Sequence, residues 1–143
     1  MENRALAEEI LQKISIIHNI PEFKVLYSFN KGEMRLLFVL KEGPLTPGEI
    51  CSKLQISSAL AAKLIRQLCF KGLAKRNINL HDRRSITVAI TPKGEEAVNE
   101  AYDHLVEELS ALMEGLGQDD SLKGLAILEK LISLYEGRGQ DND

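Results

Sequence analysis

Tryptophan is absent from the 143 residues, cysteine occurs twice and proline four times. Two cysteines, Cys51 and Cys69, are too few for a disulfide framework and match no paired metal-ligand spacing, so reduced thiols packed as small apolar residues are expected. The longest unbroken apolar run, Leu36 to Leu40, is far short of the ~20 residues a membrane-spanning helix needs. The start, Met1-Glu2-Asn3-Arg4, is not that of a signal peptide, so a cytoplasmic protein with no membrane partner is expected. There is no Gly-rich phosphate loop, HExxH, Cys-x-x-Cys or nucleophile-elbow pattern, and His18, His81 and His104 lie in three different segments. No catalytic centre, metal site or cofactor is therefore read from the sequence.

What is present suffices for a core. Hydrophobic residues make up 44% of the chain and charged residues 27%, close to ordinary globular composition, and the length suits one domain with helical extensions. The net charge of -3 hides a strong asymmetry. Thr46 to Gly94 carries nine basic residues against Glu49 and Asp82, a net +7, whereas the rest carries nine bases against nineteen acids, a net -10. A basic middle between acidic flanks fits a segment that meets a polyanion on a scaffold that does not, with a plain solvated basic surface as the alternative.

Helical spacing of Leu6, Ile10, Ile14 and Ile17 predicts an amphipathic helix over Asn3 to His18, ended by Pro21. Ile20 to Phe29 has no clean period yet holds three of the seven aromatics, which suggests a packed connection. Asn30 followed by Glu33 predicts a capped helix start, and Gly43-Pro44 its end. Thr46-Pro47-Gly48-Glu49 is a stronger start, with Thr as N-cap, Pro at the first helical position and Glu three residues after the cap. The short helix it opens runs to about Leu54 and turns at Gln55 and Ile56. A second helix, capped by Ser57, runs from Ser58 to Lys71 with Ala61, Leu64, Ile65 and Leu68 inward, and Gly72 stops it.

Leu73 to Asn77 and Ser85 to Ile90 read as strands around a polar tip, Ile78 to Arg84, forming a hairpin wing. Thr91-Pro92 caps a long helix to about Leu116. Its residues Val98, Tyr102, Leu105, Leu109, Leu112 and Leu116 make a seam of 3.5-residue period. Gly117 to Asp120 breaks the chain before a last helix, Ser121 to Tyr135, with Leu125, Leu128, Leu131, Ile132 and Tyr135 on one side; the tail from Glu136 is polar and expected to fray.

The fold class is thus mainly α with a small β-hairpin wing. A helix-turn-helix followed by a hairpin is a unit whose second helix fits a major groove. The stretches LTPGEICSKLQIS, LIRQLCFKGLAKR and DRRSITVAITPKG resemble the winged helix-turn-helix of the multiple-antibiotic-resistance regulator (MarR) family. The markers are Leu68 with Gly72, Leu73 and Arg76, then Asp82-Arg83-Arg84, then Thr91 with Gly94. The resemblance implies one MarR-like domain over residues 1–143, its DNA-binding lobe at 30–94 and its helical dimerisation region at 1–29 and 95–143. It implies a homodimeric regulator of transcription, a repressor of a pseudo-palindromic operator on double-stranded DNA, and not an enzyme.

Helical geometry turns Ser58, Ala59, Ala62, Lys63 and Arg66 away from the inward face and toward a groove, where the cations can meet guanine edges or phosphates and the alanines thymine methyls. Ser57 or Ser58 at the helix N-terminus can hold a phosphate. By resemblance Arg84, beside Arg83 on the wing tip, enters the minor groove, with Asp82 orienting it. A small aromatic or phenolic effector is expected near Phe23, Tyr27 and Met34, with plain core packing as the alternative reading of those residues. The Ala-rich start of the second helix leaves one rival function open, a winged-helix protein-interaction module without a specific operator.

Overall fold

A computed structural model describes residues 2–29, 31–78 and 86–139. The chain falls into two compact units, Met1–Leu105 and Val106–Asp143.

In the first unit, α1 (Asn3–His18) is the amphipathic helix its spacing predicts, but no residue of it is buried: Leu6, Ile10, Ile14 and Ile17 are 45, 49, 49 and 41% exposed. The aromatic segment that follows, read from its sequence only as a packed connection, is a helix, α2 (Pro21–Phe29). Pro21 is its first residue, where a ring that fixes φ and lacks an N–H fits as well as it does after a helix end. A third helix, α3 (Gly32–Leu40), is N-capped by Lys31 and not by Asn30, which lies outside the described residues, and no side chain bonds at that cap. Glu33 is instead drawn across to Lys71, Oε2 to Nζ 2.7 Å.

Thr46 caps α4 (Pro47–Leu54) as its sequence predicts: Thr46 Oγ1 accepts from Glu49 N–H at 3.2 Å and donates to Glu49 Oε1 at 3.1 Å. Gln55 takes a left-handed φ of 51°, which turns the chain at once toward α5 (Ser58–Phe70). Ser57 Oγ caps that helix by accepting from Leu60 N–H at 3.2 Å. Gly72, at φ 74°, releases the chain into β1 (Ala74–Ile78), which pairs antiparallel with β2 (Ile86–Ile90) in the register Ala74 to Ile90, Arg76 to Val88, Ile78 to Ile86. The first strand thus starts one residue later than Leu73. Ser85 and the tip, Asn79 to Arg84, lie outside the described residues. Leu45 adds a short third rung that sequence pattern did not reveal, exchanging both backbone bonds with Val88 at 3.0 and 2.7 Å.

Leu36, Leu37 and Leu40 of α3, Ile50 and Leu54 of α4, the four inward residues of α5, and Ala74, Val88 and Val98 bury one another in a single core. α6 (Pro92–Leu116) enters it through its first turns. Thr91 Oγ1 donates to the Gly72 carbonyl at 2.6 Å and accepts from Gly94 N–H at 3.1 Å, so one hydroxyl joins the end of α5 to the start of α6. The apolar seam of α6 is not free along its length. Val98 is fully buried and Leu105 is 7% exposed, so both are covered by the chain's own lobe, while Tyr102, stacked on Phe38 at 6.0 Å, stays 45% exposed. Leu112 and Leu116, further along, are exposed.

In the second unit a single residue, Gly117 at φ 87°, separates the end of α6 from α7 (Gln118–Gly139). The helix starts three residues before Ser121 because Ser121 Oγ does not cap it. It turns back onto the Gly117 carbonyl at 2.7 Å. The helix also continues past Tyr135 to Gly139, beyond the expected frayed start at Glu136. Leu125, Leu128, Leu131 and Ile132 on α7 are 53 to 59% exposed. An apolar groove of about 580 Å³ runs beside Val106, Leu109, Met113 and Ser121. Among the described residues no helix is long and apolar enough to cross a membrane.

Candidate nucleic-acid interface

The apolar positions of α5 decide its orientation. With Ala61, Leu64, Ile65 and Leu68 at 7% exposure or less, the opposite face must point outward, and Ser58, Ala59, Lys63 and Arg66 are exposed there. Ala62 is half-buried. Ser57 stands at the N-cap with its oxygen engaged by Leu60, so Ser58 is the hydroxyl left at the helix entrance.

The hairpin brings a further cation to this face. Arg76 falls on the same side of β1 as Ala74, opposite Val88, and therefore faces the lobe. It lines a hollow of about 340 Å³ together with Pro47, Gly48 and Cys51 of α4, Ser58, Ala62 and Ile65 of α5, and Ile86 of β2. Arg76 was legible as part of the LAKR run but not as a site residue. The signal was available in the alternation of β1, once the strand start is fixed at Ala74.

Charge pairing sorts the basic residues of the lobe. Lys53 lies 3.7 Å from Glu42 and Lys71 2.7 Å from Glu33, and Lys93 Nζ donates to the Lys71 carbonyl at 3.0 Å. Among the described residues, Lys63, Arg66, Lys75 and Arg76 have no ion-pair partner. All four are exposed, on the outward face of α5 and on the strand beside it. Lys63, Arg66 and Arg76, kept apart from carboxylates, form a surface for polyanions, while Lys75 points to the other side of the hairpin.

Three of the expected site residues, Asp82, Arg83 and Arg84, fall on the wing tip outside the described residues. Of the expected effector residues, Phe23 is half-buried on α2 and Met34 half-buried against the core, while the side chain of Tyr27 lies outside the description. Cys51 and Cys69 are free and half-buried, packed against the core. No group of three or more His, Cys, Asp or Glu side chains among the described residues is arranged to hold a metal ion.

Helix, turn, helix and hairpin in this order, with the second helix presented outward, define a winged helix-turn-helix protein. The family model described as MarR family matches residues 28–85 of the chain. It is 29% identical over 89 residues to YwaE of Bacillus subtilis (strain 168), described as an uncharacterized HTH-type transcriptional regulator. That match covers 62% of this chain and 52% of YwaE, so the chain spans about half the length of this relative. Its fold is similar to that of the transcriptional regulator Tm0710 from Thermotoga maritima, at 27% identity and a TM-score of 0.57 over 94% of this chain and 96% of that one. It is also similar to a cysteine-to-serine mutant of MarR from E. coli complexed with operator DNA, at 18% identity and a TM-score of 0.64 over 92% and 99% of the two chains. YwaE and Tm0710 are both described as transcriptional regulators.

Proposed function

We propose that the chain is a cytoplasmic, homodimeric transcription regulator that binds duplex DNA with α5 of each protomer in a major groove and represses from a pseudo-palindromic operator. The observation that carries this reading is the group of cations without ion-pair partners among the described residues, Lys63 and Arg66 on the outward face of α5 and Arg76 on the strand beside it. The similarity in fold to a MarR protein crystallised with operator DNA supports it. Lys63, Arg66 and Arg76 serve phosphates or guanine edges. Ser58, beside the Ser57 cap, holds a phosphate at the helix entrance, and Ala59 and Ala62 allow close approach. On the same reading Arg84, oriented by Asp82 and beside Arg83, enters the minor groove. A small aromatic or phenolic effector acts near Phe23, Tyr27 and Met34.

Dimerisation follows from the apolar faces. α1 has no buried residue, and the leucines of α7 are more than half exposed. Faces of this size on two helices are stable in water only when a second surface covers them. A second copy is the partner a symmetric operator requires, since two half-sites need two recognition helices.

Fluorescence anisotropy on labelled duplexes at several salt concentrations tests the DNA contact. Each cation that neutralises a phosphate contributes about 0.9 to the slope of log affinity against log salt, so Lys63→Ala and Arg66→Ala should each flatten it by about that amount. Arg84→Ala should weaken binding by about 1 to 3 kcal/mol and reduce any preference for A·T-rich flanks. Unchanged affinity and slope in all three variants would mean that this face meets something other than DNA, as in a protein-interaction module.

A further inference from the structure

We infer that Glu33 and Arg35 are positioning residues for the recognition helix, holding from the first turn of α3 the C-cap of α5 and the last carbonyl of α4 that leads into it. The inference rests on the proposed DNA-binding role of α5 and names what holds that helix in register. At the entry to α5, Arg35 Nη1 donates to the carbonyl of Leu54 at 3.1 Å. Leu54 is the last residue of α4, so its carbonyl belongs to the final turn, whose oxygens have no partner inside the helix. Only Gln55 and Ile56 separate it from the Ser57 cap. At the exit, Glu33 Oε2 meets Lys71 Nζ at 2.7 Å, and Lys71 is the C-cap of α5. Glu33 is only 23% exposed, which shields the pair from water more than an ordinary surface bridge.

The two ties supply what the core lacks. Leu36, Leu37 and Leu40 hold α3 against α5 through apolar contact, which is non-directional and tolerates sliding or rotation of one helix along another. Hydrogen bonds are directional and short-ranged, so one on the end of α4 that leads into α5 and one on the C-cap of α5 limit its translation and tilt. Base readout needs that register, while neutralising phosphates does not. A tilt of α3 would consequently move α5 as a rigid body.

The test uses full-length Arg35→Met, Glu33→Lys, Lys71→Glu and the charge-swapped double variant Glu33→Lys/Lys71→Glu. The first reading is the ratio of affinities for a preferred and an unrelated duplex. Arg35→Met should lower it about tenfold, the scale of a lost charge-assisted bond, and leave the salt slope unchanged, because the guanidinium acts through Leu54 and not on phosphate. Each single change of the ion pair should lower the ratio by up to about fivefold, and the swapped double should restore it. The second reading needs no DNA. Amide hydrogen exchange should quicken at Gln55 to Ser58 in Arg35→Met and at Lys71 to Leu73 in Glu33→Lys, the latter recovering in the double variant. Unchanged exchange at both ends, or a double variant that stays as impaired as the singles, overturns the assignment. A wild-type protein with no preferred duplex would instead sink the DNA-binding reading, and exchange alone would then decide the positioning role.

Discussion

A Leu128→Glu/Ile132→Glu variant is expected to sediment as a monomer at micromolar concentration, and the wild type as a dimer. Both side chains are more than half exposed in the single chain, at 59 and 57%. If the protein worked alone, two such surface changes would shift stability by no more than about 0.5 kcal/mol each, and glutamate would keep the helix because it is a good helix former. In a dimer each protomer loses two buried aliphatic side chains and brings two carboxylates into a dry interface. At roughly 1.5 to 3 kcal/mol for each aliphatic residue, a loss of on the order of 4 kcal/mol is a conservative expectation, about a thousandfold in the dimer dissociation constant. Operator affinity should fall with it, since a monomer engages one half-site. A variant that stays dimeric would move the interface away from α7.

Gly94→Ala is expected to destabilise the winged-helix unit by about 3 kcal/mol, lowering the melting temperature by roughly 10 °C. Gly94 is buried in the first turn of α6, where that helix crosses the chain between α5 and β1. A Cβ there would fall inside van der Waals contact with the Leu73 carbonyl oxygen and 2.8 Å from Cγ1 of Ile90. The Leu73 carbonyl cannot give way cheaply, because it accepts from Thr91 N–H at 3.1 Å while Leu73 N–H is held by Leu68 at 2.9 Å. Gly124 in α7 is the control. A Cβ there meets nothing within 4 Å, so Gly124→Ala should stabilise by about 0.5 to 1 kcal/mol through helix propensity alone. Thermal unfolding followed by circular dichroism separates the two, and equal melting temperatures would refute the close approach.

The markers that carried the family resemblance have physical reasons in the fold. Leu68 is fully buried, Gly72 holds a left-handed turn, Thr91 bonds to both Gly72 and Gly94, and Gly94 admits the backbone of Leu73. The helix-turn-helix was legible because its signals are local: a cap, a proline at the first helical position and a second cap within a dozen residues. The outward face of α5 followed from its apolar period for the same reason. Errors arose where one residue type has two uses. Pro21 both follows one helix and opens another, and Gly117 alone makes a corner that looked like four residues of break. Leu105 fitted a seam for a partner but is taken up by its own lobe. The rung from Leu45 to Val88, the tie from Arg35 to Leu54 and the approach of Arg76 to Ser58 join residues far apart in the chain, and no periodicity announces them.

Selection of bound fragments from a pool of random duplex DNA at physiological salt tests the central claim most directly, because it asks for an operator without presuming its sequence. A homodimer reading with two recognition helices should enrich an inverted repeat whose half-site centres lie about one helical turn, roughly 10 base pairs, apart. Affinity for it should exceed that for unrelated duplex by about a thousandfold or more. A pool that returns unenriched after repeated rounds, or a protein that fails to retain duplex at that salt, would contradict the account.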